Sequence, residues 1–454
     1  MTRTSKCIRW LLRSLAVFVV IAIAAFVVWR VNLAHDVDAK LQAIRAAGLP
    51  TNGKELNAYY PAVPDNENAA LVMTQAFALM RNYPDSRSNE IDQIQSFPAR
   101  WQHPTNEQIQ LLTGYVEMNS NALAKMAEAL KLPKSRYPVD FSPGFETLLP
   151  HLDKVKELAL LSEYRAVLAI DSGQPTNADT SVKDIFGMAR TLDEEPELIS
   201  QLVRFALVRI AIVTLEDRLN AGELSDAELA NLANVFAQQK EAHFIARGLI
   251  GERAMVVPFF RTSFAKLKQL SNFEAPQAES PAPQRPSLFL KTTGFFERDL
   301  FFYLGAMETN IFFANLPPPQ NLAITNFSKK MAENARNHYC IFSALLLPAI
   351  SSSLTREADD FARIRLATTA IAVEHYRLLQ GRLPDNLSEL TPQFLPNVPI
   401  DPFDGALLRY HRLANGYVIY SVDRDGHDDG GRKKPADWRP GDKTTYDITF
   451  TVER

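Results

Sequence analysis

A chain of 454 residues is too long for one ordinary core, so two or more domains are expected. Hydrophobic residues at 46% and charged residues at 22% give a globular composition. A net charge of -3 excludes the large basic field that nucleic-acid binding needs. Only Cys7 and Cys340 carry thiols, so neither a disulfide framework nor a cysteine-based zinc site can be built.

Leu15 to Val28 is an uncharged apolar run, and extending it to Trp10 and Leu33 takes in only Arg13 and Arg30 near its ends. Their long stems can carry the charge out to the headgroups. Roughly 20 apolar residues cross a bilayer core, so residues 10–33 are expected to meet the lipid bilayer. Trp10 and Trp29 stand where interfacial aromatics belong. Arg3, Lys6, Arg9 and Arg13 precede the run, whereas His35, Asp36 and Asp38 follow it. The positive-inside rule then places the N-terminus in the cytoplasm and the bulk of the chain outside, as in a single-pass protein of a bacterial inner membrane. The alternative is a cleaved signal peptide, for which Ala22-Ile23-Ala24 offers a small-x-small site followed by a poor mature start.

Residues 36–48 have the pattern of a short amphipathic helix stopped at Gly48-Leu49-Pro50, and 55–68 reads as extended before a helix from about 67 to 80. Helices are expected over 107–130, 148–172, 182–192 and 198–219. In the last, Ile199, Leu202, Val203, Ala206, Ile210, Val213 and Asp217 share a face. Ser225-Asp226-Ala227-Glu228 has capping-box form. Residues 274–287 carry four prolines and read as a linker. Helical pieces follow, ending in a long one over 357–380.

After Gly381 the pattern changes. A short helix over 387–395 leads to strands over 407–412, 417–422 and 447–452, the first two joined across Ala414-Asn415-Gly416, where Asn-Gly tolerates positive φ. The segments Val373-Glu374-His375-Tyr376-Arg377, Gly381-Arg382-Leu383-Pro384 and Asp401-Pro402-Phe403-Asp404-Gly405 come in order. They are followed by Leu408-Arg409-Tyr410, Tyr420-Ser421-Val422, Asp425-Gly426, Gly430-Gly431 and Asp447-Ile448. This series resembles the extracytoplasmic domain of the major pseudopilin of type II secretion systems, over about residues 357–450. The resemblance implies a structural turn at Asp401–Gly405 and one calcium ion in the last loop, with Asp425 and Asp447 matching the family's aspartates. Asp423, Asp428 and Asp429 add carboxylates there, and calcium favours such oxygen ligands. A solvated acidic turn is the other reading of the same loop. Pseudopilins carry their membrane helix directly before this domain, after a processing site. Here it lies far upstream without one, so the chain is not expected to polymerise as a pilus subunit.

No histidine pair has metal-ligand spacing, and no GxSxG, P-loop or dinucleotide fingerprint occurs. His243, Arg247 and Glu252 could line a pocket, with ion pairing as the plainer expectation. Arg204 and Arg209 interrupt an apolar helix, where an anionic ligand or pairing with Glu194, Glu195 or Glu216 would satisfy them.

The expected fold class is mainly α, with an N-terminal transmembrane helix, a large helical bundle or array, and a small C-terminal α+β module with a three-stranded antiparallel sheet. The expected division is 1–35 for cytoplasmic tip and anchor, 36–273 for a helical domain, 274–356 for a Pro-rich linker and further helices, and 357–454 for the pseudopilin-like module. The expected role is interaction or structure in the cell envelope, through an envelope protein partner. The alternative is an envelope hydrolase with a cleft between the helical domain and the C-terminal module.

Overall fold

A computed structural model describes residues 3–82, 104–239, 241–261, 292–435, 438–439, 442 and 444–454. The proline-rich stretch 274–287 lies outside the described residues. Thirteen α-helices and one three-stranded sheet are present among them, as the mainly helical pattern predicts.

Helix α1 (Arg3–Ala46) is a single rod, not the span plus separate short helix expected from sequence. The composition turns from apolar to charged after Leu33, but no glycine or proline intervenes before Gly48, so nothing breaks the backbone. The apolar part of the rod is bare of protein contacts, as a membrane span or a signal sequence would be. Its last turns are packed, with Val37 and Leu41 buried.

Next come α2 (Gly53–Tyr59), formed where an extended segment is expected, and α3 (Ala69–Leu79). Asn52 and Asn68 cap them through side-chain oxygens. The long helix expected over 107–130 is two, α4 (Asn106–Met118) and α5 (Ser120–Ala129). Asn119 divides them because its side chain is engaged with the Arg81 N–H, the Arg81 carbonyl and the Tyr115 carbonyl. Then follow α6 (Pro150–Asp171), α7 (Thr176–Arg190), α8 (Leu198–Asn220), α9 (Asp226–Ala237) and α10 (Phe244–Val256). The Ser225 capping box forms as its spacing predicts. At Gly251 on α10 a Cβ would overlap the Pro196 carbonyl, so glycine is needed for the close approach of the chain entering α8.

Helices α11 (Phe295–Ala314) and α12 (Ile324–Asn337) lead into α13 (Ile341–Gln380), a 40-residue helix with Pro348 inside it. It begins 16 residues before the expected start of the C-terminal module at 357 and runs through that boundary. One contiguous core joins α3–α9, the second half of α13 and the sheet residues Tyr417, Ile419, Phe450 and Val452. A second core gathers the tail of α1, α10, α11 and the first half of α13.

The sheet is β1 (Arg409–Leu413), β2 (Gly416–Ser421) and β3 (Ile448–Glu453), antiparallel in the order β1-β2-β3. The turn contains no positive φ, and Gly416 has a different job from the one its Asn-Gly context suggests. A Cβ there would overlap the Val452 carbonyl of β3. Edge strand β3 is covered by α8: Glu216 accepts from the Thr451 N–H (2.9 Å), and Asn220 donates to the Thr451 carbonyl (2.9 Å).

Candidate functional site

A cleft of about 510 Å³ opens where α8, α13 and the C-terminal loops meet, within the range that holds small ligands. Leu202, Phe205, Ala206, Arg209, Val213 and Glu216 supply one wall. Their spacing of three and four residues makes this a single stripe of α8, apolar apart from Arg209 and Glu216. Arg356, Asp359, Asp360 and Arg363 come from one face of α13, and Asp423, Arg424, Lys433, Lys434, Tyr446 and Asp447 from the loops.

The acids of this cleft are mostly occupied. Asp359 accepts from Arg363 at 2.8 and 3.2 Å, and Asp360 lies 3.6 Å from Arg204. Glu216 holds β3, and Asp447 accepts from the Gly431 N–H at 2.7 Å. Two cations are not matched: among the described residues, neither Arg209 nor Arg356 has a carboxylate at ion-pair distance. The Arg363 charge and burial hold Arg209 below the usual arginine range. Burial raises Asp360 to about 7 and lifts Asp423 and Asp447 above the ordinary carboxylate range. Guanidinium charges facing acids that are mostly engaged in hydrogen bonds leave a site that favours an anion.

Arg204 and Arg209, one helical turn and a residue apart, thus have separate fates. Arg204 pairs with Asp193 (2.7 Å) and Asp360 and stacks over the Phe244 ring at 3.5 Å, so none of the expected glutamates is its partner. Arg209 is not paired with Glu216. Of the other expected pocket, Arg247 pairs with Glu194 (3.0 Å), while Glu252 lies against Glu197 and, with burial, helps raise it to about 8. Arg356, Arg363 and the loop lysines were not singled out in the sequence. The visible signal was the Arg-x-x-Asp-Asp-x-x-Arg run from Arg356 to Arg363, which puts both arginines on one face.

The five aspartates considered for calcium sit on the same loop but do not share a point. Asp447 accepts from the Asp429 and Gly431 N–H groups, Asp425 from His427 N–H, and Asp428 from Gly430 N–H. Asp429 accepts from the Thr445 hydroxyl, and Asp423, at φ 56°, lies beside Arg424. Arg409 stands 3.4 Å from Asp428. Among the described residues no three acidic, histidine or cysteine side chains converge as metal ligands. Asp423 Oδ1 and Asp429 Oδ2 are buried without a hydrogen-bond partner, but the five carboxylates are not gathered around one point as calcium ligands in this arrangement. Asp401 is a structural hub. It is fully buried and accepts from Phe403 N–H, the Ser421 hydroxyl, Val422 N–H and Arg409.

Set against family models, curated proteins and solved structures, the chain matches none. The likeness of residues 357–450 to a pseudopilin domain therefore rests on the quoted motifs alone.

One further cluster has the residue types of acyl-transfer chemistry. His151 Nε2 lies 3.0 and 3.1 Å from the Glu195 carboxylate, and Ser200 Oγ donates to Glu195 at 2.6 Å. The order is wrong for a triad, because the acid stands between serine and histidine and the imidazole does not touch the hydroxyl. Ser200 and Glu195 are also fully buried. The cluster serves to pin the 195–200 turn against α6.

Proposed function

We propose that the chain is a single-pass, membrane-anchored protein of the bacterial envelope. Its body, outside the cytoplasm, binds rather than catalyses, and the cleft between α8 and α13 takes a small anionic ligand bearing carboxylate or phosphate. The observation that carries this is Arg209, a cation on a stripe that is apolar apart from it and Glu216, set beside Arg363 and, among the described residues, with no carboxylate at ion-pair distance. Like charges held together cost stability unless something negative lies between them. The orientation is supported by the basic residues before the apolar run and acidic ones after it. An interaction role in the envelope follows if the anion is a group displayed by a partner or a wall component.

The test is titration of the full chain in detergent with phosphate, citrate and succinate at matched ionic strength, read by calorimetry. A hydrogen bond to a charged group contributes about 1.5–3 kcal/mol, and tenfold is about 1.4. Arg209→Ala with Arg356→Ala is thus expected to weaken binding about 100-fold while the ligand-free unfolding midpoint holds or rises. Equal binding by the double variant, or none of these anions bound by the native chain, would overturn the assignment. Turnover of a bound ester or phosphoester would favour the hydrolase alternative instead.

A further inference from the structure

We infer that the foot of the helical body is a second membrane contact: the turn between α12 and α13 rests in the headgroup layer beside the anchor. Arg30, at the outer end of the apolar run, pairs with Glu297 (3.1 Å) and donates to the Thr292 carbonyl (3.2 Å). Ten residues further along α1, Lys40 reaches Glu308 at 3.6 Å. Helix α11 therefore climbs parallel to α1, nearly residue for residue, with its first turn level with Arg30. Asp299 accepts from the Phe342 N–H (2.8 Å) and Ser343 N–H (3.1 Å), which places the start of α13 level with about residue 32 of α1. Helix α12 descends to the same level, since Ser328 meets Asn310 near the top of α11.

At that level the surface is apolar where water would otherwise be. Tyr339, Ile341 and Leu345 are 72%, 59% and 74% exposed. Ile341 and Leu345, four residues apart, form one stripe, and Leu345 stands about 6 Å above the α13 start by helical rise. The headgroup zone adds about 5–7 Å on each side of the hydrocarbon core, so these side chains fall within it. Large apolar groups beside a tyrosine at the end of a span are the composition of a membrane–water interface. Arg336, exposed in the last turn of α12, adds a cation for lipid phosphates. The occupant is a lipid surface because the patch continues from the anchor at the anchor's own depth. A body held at two points would stand upright on the bilayer, with the cleft residues Arg356 to Arg363 of α13 roughly 20–30 Å above the contact by helical rise.

This inference rests on α1 being a membrane span, and the experiment separates the two. The full chain carrying Cys7→Ser, with Cys340 left in its buried place, is given one added thiol at a time by Ile341→Cys, Leu345→Cys, Phe18→Cys or Asn415→Cys. Each is labelled with a fluorophore and reconstituted in phosphatidylcholine–phosphatidylglycerol nanodiscs containing nitroxide lipids. Headgroup nitroxide is expected to quench labels at 341 and 345 at least twofold and to leave 415 unaffected. Acyl-chain nitroxide is expected to quench position 18. Quenching at 18 with 341 and 345 no more quenched than 415 would overturn the foot contact and leave the anchor standing. No quenching at 18 removes the anchor, and the foot contact with it.

Discussion

Asp299→Ala is expected to destabilise the protein by about 3–5 kcal/mol, the range for breaking a buried charged network. Helix α13 is 40 residues long, yet its N-cap residue Cys340 gives no side-chain cap. The cap comes from another helix: Asp299 of α11 is fully buried and accepts from Phe342 N–H, Ser343 N–H and, at 2.6 Å, the Ser343 hydroxyl. Its removal leaves two N–H donors unmatched at the helix start, each costing about 1–3 kcal/mol, and the Ser343 hydroxyl with only the residue 299 carbonyl at 3.3 Å. Asp299→Asn, which keeps one acceptor oxygen, should lose about half as much. Denaturant unfolding of the three chains checks the order, and equal midpoints for Ala and native would show the cap to be idle.

Glu195→Ala should cost a similar amount, about 3–5 kcal/mol, through a different loss. Among the described residues Glu195 is the one group that hydrogen-bonds His151, Ser200 and Tyr60 together, the last at 3.5 Å. Alanine would leave a buried imidazole and a buried hydroxyl without their partner and open a void beside Tyr137, whose ring stacks on His151 at 4.2 Å. Thermal unfolding reads the loss. The same site separates structure from catalysis: Ser200→Ala removes the hydroxyl with a cost near 1 kcal/mol, and any hydrolytic activity of the chain should survive it.

Local signals were enough wherever a segment's own residues settle its structure. The apolar stripe from Leu202 to Val213 specifies α8 and its bearing, and Ser225 with Glu228 starts α9. In the sheet, alternation marks β3, where Ile448, Phe450 and Val452 share a face, whereas β2 is buried along its whole length. What the sequence hid depends on partners distant along the chain. The split at Asn119 needs Arg81, 38 residues away, and the cap of α13 needs Asp299. Arg204 and Arg209 look alike in sequence and differ only because Asp193 and Asp360 converge on the first. The boundary expected at 357 falls inside α13, because that helix serves both cores and its composition changes while its backbone does not.

The most direct test of the proposed topology, anchored and facing outward, is protease treatment of cells and of spheroplasts carrying an epitope at each end of the protein. Sedimentation with the membrane, loss of the C-terminal epitope only once the outer membrane is opened, and survival of the N-terminal epitope on a short fragment holding the apolar helix are expected. Protection of both epitopes in spheroplasts, or a soluble protein lacking the apolar helix, would contradict it.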